Sequence, residues 1–137
     1  MVVMGIFDLF GKKEVSQNES YYSIKTELHP FRLYAHKNDY VNLQITLKNN
    51  FQRELLTSLV LIVPRGLGFE QSALSTQKEI RIGMLKAGEE KTFKIPIWAT
   101  QRTDAGDYKI KIFAIAHYHD YAYVLNESRK IITLRVA

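Results

Sequence analysis

The stretch T-D-A-G-D-Y-K-I-K-I, residues 103–112, places a glycine and a tyrosine just before a strict alternation of apolar and charged residues. Successive side chains of a β-strand point to opposite faces, so Tyr108, Ile110 and Ile112 share one face and the lysines share the other. The glycine at position 106 permits a tight turn with an unusual backbone angle. The stretch therefore predicts a half-buried β-strand that begins directly after a corner.

The same alternation recurs along the chain from residue 21 onward, and no segment of this body has a convincing helical period. The alternating apolar positions are Ile24 and Leu28; Val41, Leu43, Ile45 and Leu47; Ile80, Ile82 and Met84; Phe93, Ile95, Ile97 and Ala99; Ala114 and Ala116; and Ile132, Leu134 and Val136. Residues 55–63 are nearly all apolar, which predicts a strand buried on both faces. Seven or eight short strands with turn signals between them predict an all-β sandwich or barrel.

Two prolines mark irregular points in this pattern. Pro30 interrupts the first alternating segment, and F-R-L-Y-A resumes after it. A strand broken in this way is expected to lie at an edge and to bend or switch sheets. Pro96 cannot donate a hydrogen bond to a neighbouring strand, so its strand should have a free side or a bulge there.

The segment Asp104-Ala-Gly-Asp-Tyr108 resembles the Asp-x-Gly-x-Tyr-x-Cys motif of immunoglobulin domains. The resemblance implies an antiparallel immunoglobulin-like sandwich in which the Tyr108 ring packs inward. Its hydroxyl would bond the backbone upstream and tie the corner between two strands. Ile110 stands where the cysteine would be, and the chain contains no cysteine, so the disulfide of antibody domains is absent.

Four further stretches over residues 40–116 resemble CARDB-like and alpha-galactosidase-associated (NPCBM-associated) immunoglobulin-like modules. They are L-Q-I-T-L-K-N-N, L-V-L-I-V-P-R-G-L, I-G-M-L-K-A-G-E-E-K-T-F-K-I-P-I and A-G-D-Y-K-I-K-I. This resemblance implies a non-catalytic accessory or adhesion module. Such modules are usually secreted, whereas the absence of cysteine and of a recognisable export signal predicts a cytoplasmic chain.

The composition fits one soluble domain, with 46% hydrophobic and 24% charged residues among 137. We predict a head and polar linker over residues 1–20 and the sandwich over residues 21–137. The net charge of +5 is spread along the chain, which argues against nucleic acid as a partner. Nucleotide-binding and nucleophile-elbow motifs are absent from the sequence, and the prediction is a non-enzyme that needs no cofactor.

The head reads M-V-V-M-G-I-F-D-L-F-G-K-K, residues 1–13. As a helix its apolar run would cover only about 15 Å, too short to cross a bilayer. Its apolar side chains are expected to be covered by the sandwich itself, by a partner protein, by another copy of the chain or by a membrane face, and the remaining alternative is a disordered head. The candidate attachment residues are Ile6, Phe7, Leu9 and Phe10.

The binding site is predicted where two connections meet. In an immunoglobulin-like fold, the segment between the last two strands lies at the same end as the segment after the second strand. Both segments are rich in the aromatic and polar residues that binding loops use. The candidate binding residues are Tyr118, Tyr121, Tyr123, Asn50, Phe51 and Arg53. Parity adds a constraint, because the odd-numbered tyrosines cannot share a face with the even-numbered Ile132 and Leu134 on one continuous strand. Either Asn126-Glu-Ser128 contains a bulge or a turn, or the tyrosines belong to a loop.

His117, His119 and Asp120 form a weaker candidate site. On a strand, the two histidines would lie on one face and could contribute to a metal site. The simpler interpretation is a polar hairpin end with solvent-exposed histidines. The sequence therefore favours a protein-interaction or scaffold module attached through its head. The alternatives are a carbohydrate-binding or cell-surface accessory domain and a metal-dependent enzyme using the histidine cluster.

Overall fold

A computed structural model describes residues 20–137, and every regular element in this range is a β-strand. The strands are β1 (Tyr22–His29), β2 (Arg32–Leu33), β3 (Asp39–Asn49), β4 (Leu55–Ile62), β5 (Leu67–Gly68), β6 (Gln77–Leu85), β7 (Glu90–Ala99), β8 (Gly106–His117) and β9 (Val124–Val136). Seven are long, and β2 and β5 have two residues each.

The strands form two facing sheets. One has five strands in the order β2-β9-β8-β4-β6, and the other has four in the order β1-β3-β7-β5. All pairings are antiparallel except that of β2 with β9. This is an immunoglobulin-like β-sandwich, which confirms the predicted fold class.

The interior between the sheets is made of the alternating residues that the sequence picked out. The aliphatic side chains at these positions on β3 and β8 are fully buried, and most of those on β7 and β9 are nearly fully buried. The fully buried members on β3 and β8 are Val41, Leu43, Ile45, Leu47, Ile110, Ile112, Ala114 and Ala116. At about 25 cal/mol per Å² of apolar surface removed from water, this shared interior is the main stabilising contribution to the fold.

Strand β6 departs from the simple alternation at Gly83. Thr57 on β4 pairs with Gly83 and Ser58 pairs with Arg81, so an extra residue is inserted into β6. Gly83 has a φ of +89°, the backbone conformation that such a bulge requires of glycine. Beyond the bulge Leu85 points inward, and Met84, which the sequence placed in the core, is 49% exposed.

The break at Pro30 moves the chain from one sheet to the other. Strand β1 belongs to the four-stranded sheet, whereas β2 pairs with β9 in the five-stranded sheet. The predicted sheet switch is therefore confirmed. Pro96 lies on the predicted free side, because β5 pairs with β7 only at Trp98 and Ala99.

The predicted double burial of residues 55–63 is only half right. Leu55, Leu59 and Leu61 face the interior and are buried. On the opposite face, Val60 and Ile62 are half-buried and look away from the core. The side of β4 that points away from the interior is therefore apolar as well.

The corner before β8 is tied as the tyrosine motif implies. The Tyr108 hydroxyl donates a hydrogen bond to the Asp104 carbonyl oxygen at 2.7 Å. The ring lies against Gly66, where an added Cβ would stand 3.2 Å from Cε2 of the tyrosine. Thr103, fully buried beside it, donates from its hydroxyl to the Gly66 carbonyl at 2.7 Å and accepts from the Thr100 amide at 2.9 Å. One aromatic ring and one hydroxyl thus join three segments of chain at this end.

We expect Tyr108→Phe to lower the free energy of unfolding by about 1 kcal/mol, because it removes one hydrogen bond and keeps the ring. Urea unfolding followed by circular dichroism measures the change. Tyr118→Phe is the matched control, since that ring is 59% exposed in a loop and should change stability by less than about 0.5 kcal/mol. Equal losses in the two variants would show that the corner hydrogen bond contributes nothing specific.

Candidate functional site

Two loops meet at the end of the sandwich where the described chain begins. The first connects β3 to β4 and the second, residues 118–123, connects β8 to β9. Between them lies an open groove of about 600 Å³. Its lining is mostly apolar and aromatic, with charged residues among it: Tyr21, Phe51, Arg53, Glu54, Leu55, Leu56, Met84, His117, Tyr118, His119 and Leu125.

A buried asparagine holds the first loop in place. Asn49 is fully buried, and its amide nitrogen donates to the carbonyl oxygens of Arg53 at 3.0 Å and Leu85 at 2.9 Å. Its side-chain oxygen accepts from the Phe51 amide at 2.7 Å. The loop is therefore anchored to the end of β6 by one side chain whose polar groups are all engaged. The alternation of β3 contained this signal, since Asn49 continues the inward series that ends at Leu47.

Aromatic rings form the groove wall nearest the first described residues. The rings of Tyr21 and Phe51 are stacked, with centroids 4.3 Å apart. Tyr22 points into the interior beside them, where its hydroxyl lies 2.7 Å from the Thr57 hydroxyl. Thr57 donates its own proton to the Leu55 carbonyl, so Tyr22 is the donor of this pair. Burial raises the pKa of Tyr22 to about 12, although the hydrogen bond to Thr57 acts in the opposite direction.

The tyrosines of the second loop are divided between two environments. Tyr121 folds onto the five-stranded sheet, where its hydroxyl accepts from the Gly83 amide at 3.0 Å. The Arg81 guanidinium lies 4.8 Å from the centroid of the Tyr121 ring, a cation–π contact. Tyr118 and Tyr123, in contrast, are about 60% exposed.

Of the two ways that the parity constraint allowed, the loop is confirmed, whereas a bulge within residues 126–128 was wrong, because these residues pair with β8 without interruption. Tyr121 and Tyr123 belong to the loop, and β9 begins only at Val124. A register shift also follows, because Ala116 pairs with Asn126 and His117 pairs with Val124, so one extra residue is inserted.

The six predicted binding residues do not form one surface. Phe51, Arg53 and Tyr118 line the groove together. The Asn50 side chain instead donates to the Ser23 hydroxyl, beyond the groove, and Tyr121 packs over β6. The predicted position of both loops at one end of the sandwich is confirmed, but the direction of each side chain was not predictable from the sequence. The binding role of these residues stays a prediction.

The histidine pair is arranged differently from the sequence-based expectation. Strand β8 ends at His117, and His119 lies in the loop with a φ of +69°, so the expected shared face was wrong. The two ring nitrogens of His117 lie 2.7 Å from the Ser58 hydroxyl and 3.2 Å from the Tyr123 carbonyl. Asp120 accepts from the Ala122 amide. Among residues 20–137, no group of three or more His, Cys, Asp or Glu side chains is placed to hold a metal ion.

The predicted attachment residues Ile6, Phe7, Leu9 and Phe10 lie outside the described residues. Ser20 and Tyr21 show where the preceding segment joins the sandwich, because Tyr21 lines the groove. Within the described part of the chain, no helix is long and apolar enough to span a bilayer.

Solved structures share this fold at low sequence identity. One is a part of Escherichia coli alpha-2-macroglobulin running from domain MG7 to the C-terminus, with a TM-score of 0.59 and 18% identity; the match covers 84% of this chain and 16% of that one. A chain of the human seminal-plasma complex between zinc 2-glycoprotein and prolactin inducible protein matches with a TM-score of 0.55 and 18% identity, covering 83% of this chain and 93% of that one.

The bacterial hydrophobin BslA has a TM-score of 0.52 and 13% identity, covering 86% of this chain and 95% of that one. No protein-family model matches the sequence, and a search of the curated proteins finds no relative. At these identities the likeness is one of fold.

We expect Asn49→Asp to lower the free energy of unfolding by at least about 2 kcal/mol, because a carboxylate would face two carbonyl oxygens where an amide now donates. Asn50→Asp is the matched control, since Asn50 is exposed and should change stability by less than about 0.5 kcal/mol. Chemical denaturation of both variants measures the difference. Similar values for the two would contradict an anchoring role for Asn49.

The raised pKa of Tyr22 predicts a loss of stability at alkaline pH. An unfolded tyrosine releases its proton near pH 10, whereas the folded Tyr22 keeps its proton until about pH 12. The stability difference between wild type and Tyr22→Phe should therefore be constant below pH 10. Between pH 10 and 12, the free energy of unfolding of the wild type should fall by about 2 to 3 kcal/mol relative to that of Tyr22→Phe. A stability difference between the two proteins that stays constant from pH 10 to 12 would contradict burial of the hydroxyl.

Proposed function

We propose that this chain is a non-enzymatic protein-interaction module whose recognition site is the groove between the two loops. The observation that carries the proposal is the meeting of Phe51, Arg53 and Tyr118 in one open groove at one end of the sandwich. Large aromatic and arginine side chains contribute most of the free energy of binding at protein interfaces. The groove presents both types on loops that are fixed to the sheets.

The rigidity of the groove supports this role. Asn49 fixes the first loop, and the second loop is held by backbone hydrogen bonds from Tyr118 to Tyr123 at 3.1 Å and from Asp120 to Tyr118 at 2.8 Å. A loop that is ordered before binding loses less conformational entropy when a partner arrives. The exposed Tyr118 ring is then available as an anchor with only two rotatable side-chain bonds.

The non-enzymatic part of the proposal rests on the hydrogen bonds of His117 and Asp120, two of the three residues of the candidate metal site. Both ring nitrogens of His117 face protein oxygens, and Asp120 caps its own loop. A general base needs a free nitrogen or oxygen directed at the substrate. These side chains instead support the loop.

The apolar head is proposed to attach the chain to a protein partner, another copy or a membrane face of the cytoplasm. The groove-lining Tyr21 places the root of the linker beside the recognition site. Residues 14–20 are mostly polar, and a linker of this length keeps the near end of the head, Lys13, within about 25 Å of the groove. A partner bound in the groove would therefore lie within reach of Ile6, Phe7, Leu9 and Phe10.

A carbohydrate-binding function is the second candidate, and it points to a different surface. On the outer side of the four-stranded sheet, the rings of Tyr40 and Trp98 lie 4.6 Å apart, and Tyr40 is 41% exposed. Asn42 and Gln44 follow Tyr40 on the same side of β3. Aromatic faces beside amide groups suit stacking and hydrogen bonding with sugar rings. The resemblance to CARDB-like and alpha-galactosidase-associated modules supports the same role.

We expect Tyr118→Ala to lower partner recovery at least tenfold when the tagged full-length chain is used for affinity capture, since loss of a central aromatic anchor costs 1.4 kcal/mol or more. Tyr34→Ala is the matched control, because Tyr34 is also about half exposed but lies at the opposite end of the sandwich. It should change recovery less than twofold.

Removal of residues 1–13 tests the head in the same experiment, and we expect it to reduce recovery of the partner. Unchanged recovery with Tyr118→Ala would contradict the groove as the recognition site. Recovery of glycans that depends on Trp98 rather than Tyr118 would support the carbohydrate candidate.

A further inference from the structure

The side of the five-stranded sheet that faces away from the interior is apolar at its centre. We call the surface formed there by β9, β8, β4 and β6 the outer face. Its centre is made of Phe113 and Ile115 on β8 and Val60 on β4, which are half-buried although they point away from the core. Ile62 and the 49% exposed Ile131 extend it. A surface of this kind is commonly covered by a partner.

Four charged residues flank this centre in two rows across the sheet, and a fifth, the exposed Lys111 on β8, lies between Ile131 and Ile62. The first row crosses β9, β8, β4 and β6 in the order Glu127, Ile115, Ser58 and Arg81. The second row crosses the same strands in the order Arg129, Phe113, Val60 and Glu79. All four charged residues are exposed.

The two rows carry opposite charges at each end. Along β9, Glu127 lies beside Arg129, and along β6 the order is reversed, with Arg81 in the first row and Glu79 in the second. An ion pair of 3.5 Å between Arg81 and Glu79 shows that the two side chains share one face, and their pairing with Ser58 and Val60 identifies it as the outer face. The Arg81 guanidinium also lies over the Tyr121 ring at the edge of this face. The result is two positive and two negative side chains that alternate in sign around an apolar centre.

This arrangement is complementary to itself. If a second outer face is laid on the first about a two-fold axis parallel to the strands, Glu127 meets Arg81 and Arg129 meets Glu79 of the other copy. If the axis runs across the strands instead, Glu127 meets Arg129 and Arg81 meets Glu79. Either two-fold axis through the centre therefore brings each of these four charges onto an opposite one, as an isologous interface requires.

We propose that the outer face of the five-stranded sheet is a self-association surface, and that the occupant is a second copy of this chain. The apolar centre supplies the area removed from water, and the four charges set the register of the two copies. The proposal goes beyond the groove function, because it uses other residues and another partner. The loss of either function would leave the other unchanged.

The test is the mass of the full-length chain in solution, measured by sedimentation equilibrium and light scattering at about 50 μM. The expected mass is twice the 15.9 kDa of one chain. Phe113→Asp should give a single-chain mass, because it places a charge at the centre of the apolar contact. Tyr40→Asp is the matched control on the opposite sheet and should leave the two-chain mass unchanged.

Charge reversal provides a second test that does not depend on the apolar centre. Arg129→Glu should raise the dissociation constant at least tenfold, since it opposes like charges under either axis. If the axis runs along the strands, adding Glu79→Arg to the Arg129→Glu variant should restore its association. If the axis runs across the strands, adding Glu127→Arg should restore it. Circular dichroism confirms that each variant is folded.

Three results would overturn the proposal. The first is a single-chain mass for the wild type at this concentration. The second is association that survives Phe113→Asp and is lost with Phe7→Asp, which would assign self-association to the head. The third is failure of both second substitutions to restore Arg129→Glu, which would show that these charges do not meet across the interface.

Discussion

The structure depends on one constraint, which is that every long strand must give one of its two faces to a single apolar interior. Because side chains alternate along a strand, burial of one set fixes the direction of the other. Ile110 and Ile112 are fully buried on β8, so Phe113 and Ile115 have to point outward. The surfaces available for recognition are therefore consequences of how the interior is filled.

The two ends of the sandwich are closed by polar side chains that hydrogen-bond to the backbone. At one end the buried Asn49 joins the first loop to β6, and at the other the buried Thr103 and the Tyr108 hydroxyl join the corner to neighbouring segments. The side chains of Asn49 and Thr103 bond to the backbone of other segments, so buried groups position the loops. The Tyr108 hydroxyl adds an exposed hydrogen bond within the corner. Such fully satisfied buried groups favour one loop arrangement over alternatives.

The two proposed surfaces differ in their chemistry and therefore in the partners that they suit. The groove is built from loop aromatics with no internal symmetry, which fits a different protein. The outer face has matched charges of both signs around an apolar centre, which fits a copy of itself. Met84 and Leu125 line the groove at its border with the outer face, so the two surfaces are neighbours. A pair formed about an axis along the strands would present both grooves at the same end, which would favour partners with two binding segments.

The sequence by itself determined the fold class, the inward face of most strands, the corner at Tyr108 and the meeting of two loops at one end. The fold class and the inward faces follow from local periodicity and turn chemistry, which act between residues close in the chain. The corner at Tyr108 and the meeting of the loops were implied by the resemblance to immunoglobulin domains. Only the tertiary structure decided that Met84 points outward, that Asn50 and Tyr121 leave the groove, and that His117 and His119 do not share a face. A bulge at Gly83, a hydrogen bond to Ser23 and the end of β8 at His117 cause these differences. Each arises from pairing between strands or segments far apart in sequence, and such pairings decide the direction of a side chain without leaving a periodic signal in the chain itself.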